Sequence, residues 1–115
     1  MENLEQLNLI AMRIILDAGD ARDFVTKAFE AMGQRDFESA DEHLRAAFEK
    51  LKSAHRQQTE VIQHEVAAGS LPPSLLFNHA QDTLMVVGSE LNLARSLLAI
   101  FINIDRRLAQ LEAGR

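Results

Sequence analysis

The chain has 115 residues, with 12 Lys plus Arg against 17 Asp plus Glu, so its formal charge is −5 with histidines neutral. Apolar residues make up 47 % and charged residues 25 %, ordinary proportions for one small globular domain and far from those of a disordered chain. The absence of Cys excludes disulfides, thiolate metal sites and cysteine nucleophiles. The basic residues are scattered and outnumbered, so no nucleic-acid partner is expected. The opening Met1-Glu-Asn-Leu-Glu-Gln lacks the basic region and unbroken apolar core expected of a secretory leader, and no uncharged apolar run approaches the ~18 to 20 residues of a membrane span. A cytoplasmic domain without direct membrane insertion is expected.

Gly33 and the group Gly69, Pro72 and Pro73 divide residues 1–115 into three long segments rich in Ala, Leu, Glu, Gln and Arg, with helical spacing of apolar residues and no alternating β-branched run. The first predicted helix runs from about Asn3 to Met32. Its apolar positions Leu4, Leu7, Ala11, Ile14, Ala18, Ala21, Val25, Ala28 and Met32 keep the 3,4 spacing of a coiled-coil seam. Gly33 is expected to be its left-handed stop and Asp36 to cap the next helix. The second helix spans about Phe37 to Ala68, on a stripe of Phe37, Ala40, Leu44, Ala47, Leu51, Ala54, Gln58, Val61 and Glu65. Gly69 ends it, and Pro73 suits the first turn of a third helix that continues to about Leu111. The fold expected is an all-α, antiparallel three-helix bundle forming a single domain.

The third helix carries two apolar rows. The seam Phe77, Ala80, Leu84, Val87, Leu91, Ala94, Leu98 and Phe101 packs on the other two helices. At ~100° per residue a second row follows elsewhere on its surface: Leu75, Leu76, His79, Asp82, Thr83, Val86, Glu90, Leu93, Leu97, Ile100 and Ile104. A helix apolar on two sides must bury both, so a homo-oligomer built around this helix is expected, with cyclic symmetry the default for identical subunits. Asp82 then points almost directly away from its own core, towards its copies.

His79, Asp82 and Thr83 stand at i, i+3 and i+4, so they share a helix face. A neutral imidazole offers a free ring lone pair near neutral pH, which suits it to accept a phosphoryl group; the alternative is an ordinary packed or exposed histidine. Facing copies of Asp82 repel one another unless protonated, solvated or neutralised by a hard cation such as Mg²⁺ or Ca²⁺; the alternative is a water-filled polar break in an interface. His55 reads as structural, and His43 and His64 as surface residues.

Three strings, in order, resemble a known family. Asp17-Ala-Gly-Asp-Ala-Arg22 matches an A-G-x-A-R stretch. Ala54-His55-Arg-Gln-Gln-Thr59-Glu-Val-Ile-Gln63 matches A-H-x-x-Q-T-E-x-I-Q, and Leu76-Phe-Asn-His79-Ala-Gln-Asp82 matches a phosphorylation-site stretch. From about Ile10 to Leu111 the chain resembles the IIA component of the lactose/cellobiose (chitobiose) branch of the bacterial phosphoenolpyruvate-dependent sugar phosphotransferase system.

The resemblance implies a phosphocarrier, an enzyme subunit that takes a phosphoryl group from phospho-HPr on Nε2 of His79 and passes it to a cysteine of the IIB component, for uptake of a β-linked disaccharide. It implies that Gln81 and Thr83 support the site, and that Asp82 from each subunit holds Mg²⁺ or another divalent cation on the threefold axis of a nine-helix homotrimer. Thr83 stands where the family commonly has a second histidine. Its hydroxyl either reaches a phosphate oxygen or bonds back to the His79 carbonyl. That departure motivates the other reading, a non-catalytic regulatory or scaffold homologue.

Overall fold

The computed structural model describes residues 3–115. Three α-helices, α1 (Leu4–Gly33), α2 (Phe37–Ala68) and α3 (Leu75–Ala113), form an elongated bundle of 68 × 20 × 18 Å; no strand occurs among the described residues. The core is the meeting of three seams. Leu7, Ile14, Val25 and Met32 of α1, Leu44, Leu51 and Val61 of α2, and Phe77, Leu84, Val87, Leu91 and Leu98 of α3 are buried, interleaved with buried alanines. On α1 and α2 those alanines recur as Ala11, Ala18, Ala21 and Ala28 against Ala40, Ala47 and Ala54. Small side chains there let the two helix axes approach closely.

Three polar ties set the register of α1 against α3. Ser74 Oγ bonds Asn8 Oδ1 at 2.7 Å, Arg22 pairs with Glu90 at 2.8 Å, and Arg35 pairs with Asp105. The numbers rise together, so α1 and α3 run parallel. Asp17 with Ser53 and Gln57, and Asp20 with Lys50, run in opposite order, so α2 is antiparallel to α1.

The helix ends depart from the expectation in instructive ways. Gly33 is not the left-handed stop; it closes α1 in helical conformation, and Arg35 adopts φ 62° instead. Asp36 N–H donates to Ala31 O at 2.9 Å and Arg35 N–H to Met32 O at 3.0 Å, the paired bonds of a Schellman closure. Arg35 is placed there to reach Asp105. Pro73 lies outside α3, which starts two residues later at Leu75; Ser74 is the cap, its Oγ accepting from Phe77 N–H at 3.0 Å. Gly69 does end α2 in the left-handed region, at φ 86°.

Two expected apolar core positions are exposed, both at seam ends, as is Glu65, where the α2 stripe turns polar. Leu4 precedes the level at which α3 begins, and Phe101 (40 % exposed) falls where α1 is running out. From Arg106 onward every residue is exposed, because α3 passes the α1–α2 turn at Asp105. The outer row of α3 is open as well: Leu75, Val86, Leu93, Ile100 and Ile104 are all exposed. By length and composition α3 is apolar enough to cross a membrane, with a mean hydropathy of 1.5 over 18 residues of which 22 % are buried. Glu90 and Arg95 interrupt its middle, and its seam is buried against α1 and α2.

Asp36 caps α2 as expected, accepting from Ser39 N–H at 3.1 Å. The Ser39 backbone and side-chain donors hold its carboxyl below the usual range, because they bind the charged form. A lowered folded pKa stabilises the fold above the unfolded value, and that gain is lost as pH falls through the folded value. The melting advantage of the native chain over Asp36→Ala should therefore be full at neutral pH and shrink below about pH 4. Thermal unfolding followed by circular dichroism at both pH values checks this, and a gap independent of pH would contradict it.

Candidate functional site

The start of α3 presents the predicted site residues on three different flanks. His79 lies just over one turn beyond the Ser74 cap and is exposed, its side chain making no hydrogen bond or ion pair with any described residue. The Thr83 hydroxyl donates to the His79 carbonyl at 2.8 Å, the back-bond of the two alternatives. On a helical projection both share the flank of Glu90, whose carboxylate meets Arg22 of α1. The register of the interhelical ties puts His79 at the height of Met12, which is itself exposed.

Asp82 sits further round. It lines an outward groove of about 510 Å³ with Met85, Val86, Ser89, Glu90 and Leu93. Gln81 faces the other way, half-buried in a cavity of about 440 Å³ bounded by Leu7, Glu65, Phe77, Asn78 and the segment 71–75. The structure thus joins His79 with Thr83, leaves Asp82 on an adjoining surface, and separates Gln81 from its own histidine. No three His, Asp or Glu side chains gather into a metal-binding group among the described residues. The groove of a single chain holds two carboxylates, Asp82 and Glu90, and Glu90 is paired with Arg22.

Some residues of the matched strings prove to hold helices together. Asp17 Oδ2 accepts from Ser53 Oγ at 3.0 Å and from Gln57 Nε2 at 2.9 Å, a half-buried clamp between α1 and α2. Arg22 ties α1 to α3. Spacing assigns no role to Asp17 or Gln57; Asp17 adjoins the buried Ala18 in sequence, and Gln57 lies one turn from the buried Ala54. His55 is exposed beside the α2–α3 groove. His43 is not a free surface residue: it is half-buried and stacked on Phe24, with centroids 6.3 Å apart. His64 is half-buried too.

The family model described as PTS system, lactose/cellobiose-specific IIA subunit, matches residues 9–102. The chain belongs to this family. Among its relatives, the lichenan-specific phosphotransferase enzyme IIA component of Bacillus subtilis (strain 168) is 34 % identical over 103 residues, covering 90 % of this chain and 94 % of the relative. The N,N'-diacetylchitobiose-specific EIIA component of Escherichia coli (strain K12) is 32 % identical, over 90 % of this chain and 86 % of its own. The crystal structure of the cellobiose-specific enzyme IIA from Bacillus anthracis superposes with a TM-score of 0.83 at 31 % identity, covering 92 % and 95 % of the two chains. The chitobiose IIA protein of the Escherichia coli phosphotransferase system, solved in complex with HPr, gives a TM-score of 0.76 at 28 % identity, with coverage of 91 % and 99 %.

In this IIA-family bundle the Asp17 clamp adds a polar tie to the apolar seam that pairs α1 with α2. Asp17→Ala leaves the half-buried Ser53 hydroxyl without its acceptor and Gln57 Nε2 with only its longer bond to the Ser53 carbonyl, and should cost about 1 to 3 kcal/mol, read as a lower denaturant midpoint with an unchanged slope. An unaltered midpoint would show that the clamp holds nothing.

Proposed function

We propose that this chain is a cytoplasmic phosphohistidine carrier: phospho-HPr delivers a phosphoryl group to Nε2 of His79, and His79 passes it to a cysteine of a IIB component, in the uptake of a β-linked disaccharide. The observation that carries this reading is the state of His79 in a IIA-family fold. It is an exposed imidazole on a rigid helix, unengaged by any described side chain, and a structurally similar IIA protein is known in complex with HPr.

In the first step the lone pair of Nε2 forms a P–N bond as the donor's P–N bond breaks. In the second, the acceptor thiolate forms a P–S bond and the electron pair returns to Nε2. Positioning and charge compensation carry such transfers. Thr83 spends its hydroxyl proton on the His79 carbonyl, which anchors the backbone below the ring and leaves the oxygen an acceptor only. Gln81, on the far flank, supports a phosphohistidine only if it belongs to a neighbouring copy. Incubation with phosphoenolpyruvate, enzyme I and HPr should add one phosphoryl group per chain by mass spectrometry, and His79→Gln should abolish the gain. Phosphorylation of the variant would overturn the assignment; an unmodified native chain would favour the regulatory homologue.

The working particle in this reading is a homotrimer of nine helices, joined through the open outer row of α3. The apolar lining of the Asp82 groove by Met85, Val86 and Leu93 supports an interface there, and three Asp82 carboxylates at one axis suit Mg²⁺ or another divalent cation, which would supply the charge their mutual repulsion demands. Replacing such a buried carboxylate with a similar-sized apolar residue is commonly neutral or stabilising. Asp82→Leu should therefore remain trimeric in sedimentation equilibrium. Dissociation to monomers would place Asp82 elsewhere.

A further inference from the structure

We infer that the groove between α2 and α3 is a binding site for an organic oxyanion with a small apolar body, a carboxylate or a phosphate monoester. The groove is about 280 Å³ and is lined by Phe48, Leu51, Lys52 and His55 of α2 and by Gly88, Leu91, Asn92 and Arg95 of α3. Its floor is apolar, since Leu51 and Leu91 are buried. Its rim is cationic, on a chain whose net charge is −5.

One aromatic ring organises that rim. The Arg95 guanidinium stands 4.8 Å and the Lys52 ammonium 5.7 Å from the Phe48 ring centroid, both within cation–π range. A guanidinium held by its face keeps its N–H edges free for a carboxylate or phosphate. Glu49 meets Lys52 at 3.4 Å and is the carboxylate that answers this rim. Arg95 forms no ion pair among the described residues. His55, one turn on from Lys52, and the Asn92 amide, one turn before Arg95, add further donors on the same two faces.

Gly88 is the second observation. A Cβ built there meets nothing within 4 Å, and the residue is in ordinary helical conformation. Packing does not require the glycine, and glycine weakens a helix relative to alanine. Its effect is to leave the groove open. Nine residues at ~100° each set Gly88 about half a turn around α3 from His79, so the groove is separate from the phosphoryl-accepting flank and an occupant leaves that flank clear.

The test is a ¹⁵N–¹H titration of the full chain with phenyl phosphate, benzoate, inorganic phosphate and benzyl alcohol. Phenyl phosphate or benzoate should give saturable shifts at Gly88, Asn92 and the Arg95 Nε–H, with the tighter of the two assigning the head group. Inorganic phosphate, lacking the apolar body, should bind at least about tenfold more weakly, and benzyl alcohol should leave the spectrum unchanged. Arg95→Gln and Gly88→Leu should each weaken binding by about tenfold or more, while Gly88→Leu retains or raises the melting temperature because its Cβ position is clear and leucine favours a helix over glycine. Shifts that never saturate, equal binding of phenyl phosphate and inorganic phosphate, or affinities unmoved by both variants would overturn the site.

Discussion

α3 is apolar on more of its circumference than two neighbouring helices can cover. Its seam from Phe77 to Leu98 closes the core, and the row through Val86, Leu93, Ile100 and Ile104 stays open. Since burying apolar surface is the largest favourable term in folding, the seam decides how α3 is rotated in the bundle. That rotation then decides everything displayed on it. With Ala80 and Leu84 turned inward, His79 and Thr83 must lie on the α1 side, Asp82 must point outward, and Gln81 and Gly88 must lie towards α2. A slip of one residue would rotate the whole set by ~100° and bury the histidine in one direction or Gln81 in the other.

Rotation alone leaves α3 free to slide, and the polar ties remove that freedom. Exposed ion pairs contribute little net stability; their weight here lies in spacing. Asn8 with Ser74, Arg22 with Glu90 and Arg35 with Asp105 meet only at one axial offset. Arg35 shows what that register demands, adopting the left-handed conformation that Gly33 is chemically better suited to supply. The turn is therefore closed by the residue that can reach Asp105 and not by the one that bends most easily.

What the amino-acid order discloses follows from how local each determinant is. Seam positions are set by the helical period, so Leu7 to Met32 and Phe77 to Leu98 could be read directly, while Leu4 and Phe101 could not: their exposure depends on where a neighbouring helix stops. Asp36 and Gly69 act within a few residues and were legible as caps. Ser74 was hidden behind Pro73, a strong local signal for a helix start, because its hydroxyl serves both the Phe77 amide and Asn8 across the bundle. In the site, spacing placed His79, Asp82 and Thr83 on neighbouring surface and set Gln81 apart. It left the Thr83 hydroxyl two destinations of similar geometry, and only coordinates choose between them. The Asp17 clamp joins residues 36 and 40 apart in sequence, a distance at which periodicity carries no information.

A phosphoryl carrier faces a constraint that a catalyst with one substrate does not: what it holds well it releases slowly. A phosphohistidine bound by fixed cations of its own chain would be a deep minimum between donor and acceptor, since stabilising a bound intermediate raises the barrier to its departure. The neighbourhood of His79 suits the opposite arrangement. In the described chain no Lys or Arg is bonded to its ring, the nearest flank pairs its cation Arg22 with Glu90, and Thr83 supplies no positive charge. Two cations, Arg95 and the Glu49-paired Lys52, are gathered instead around Phe48, about half a turn away on α3. In the proposed relay the charge that steadies the transferring group therefore arrives with each docking partner and leaves with it, so the transition state is stabilised more than the carrier's resting phosphohistidine.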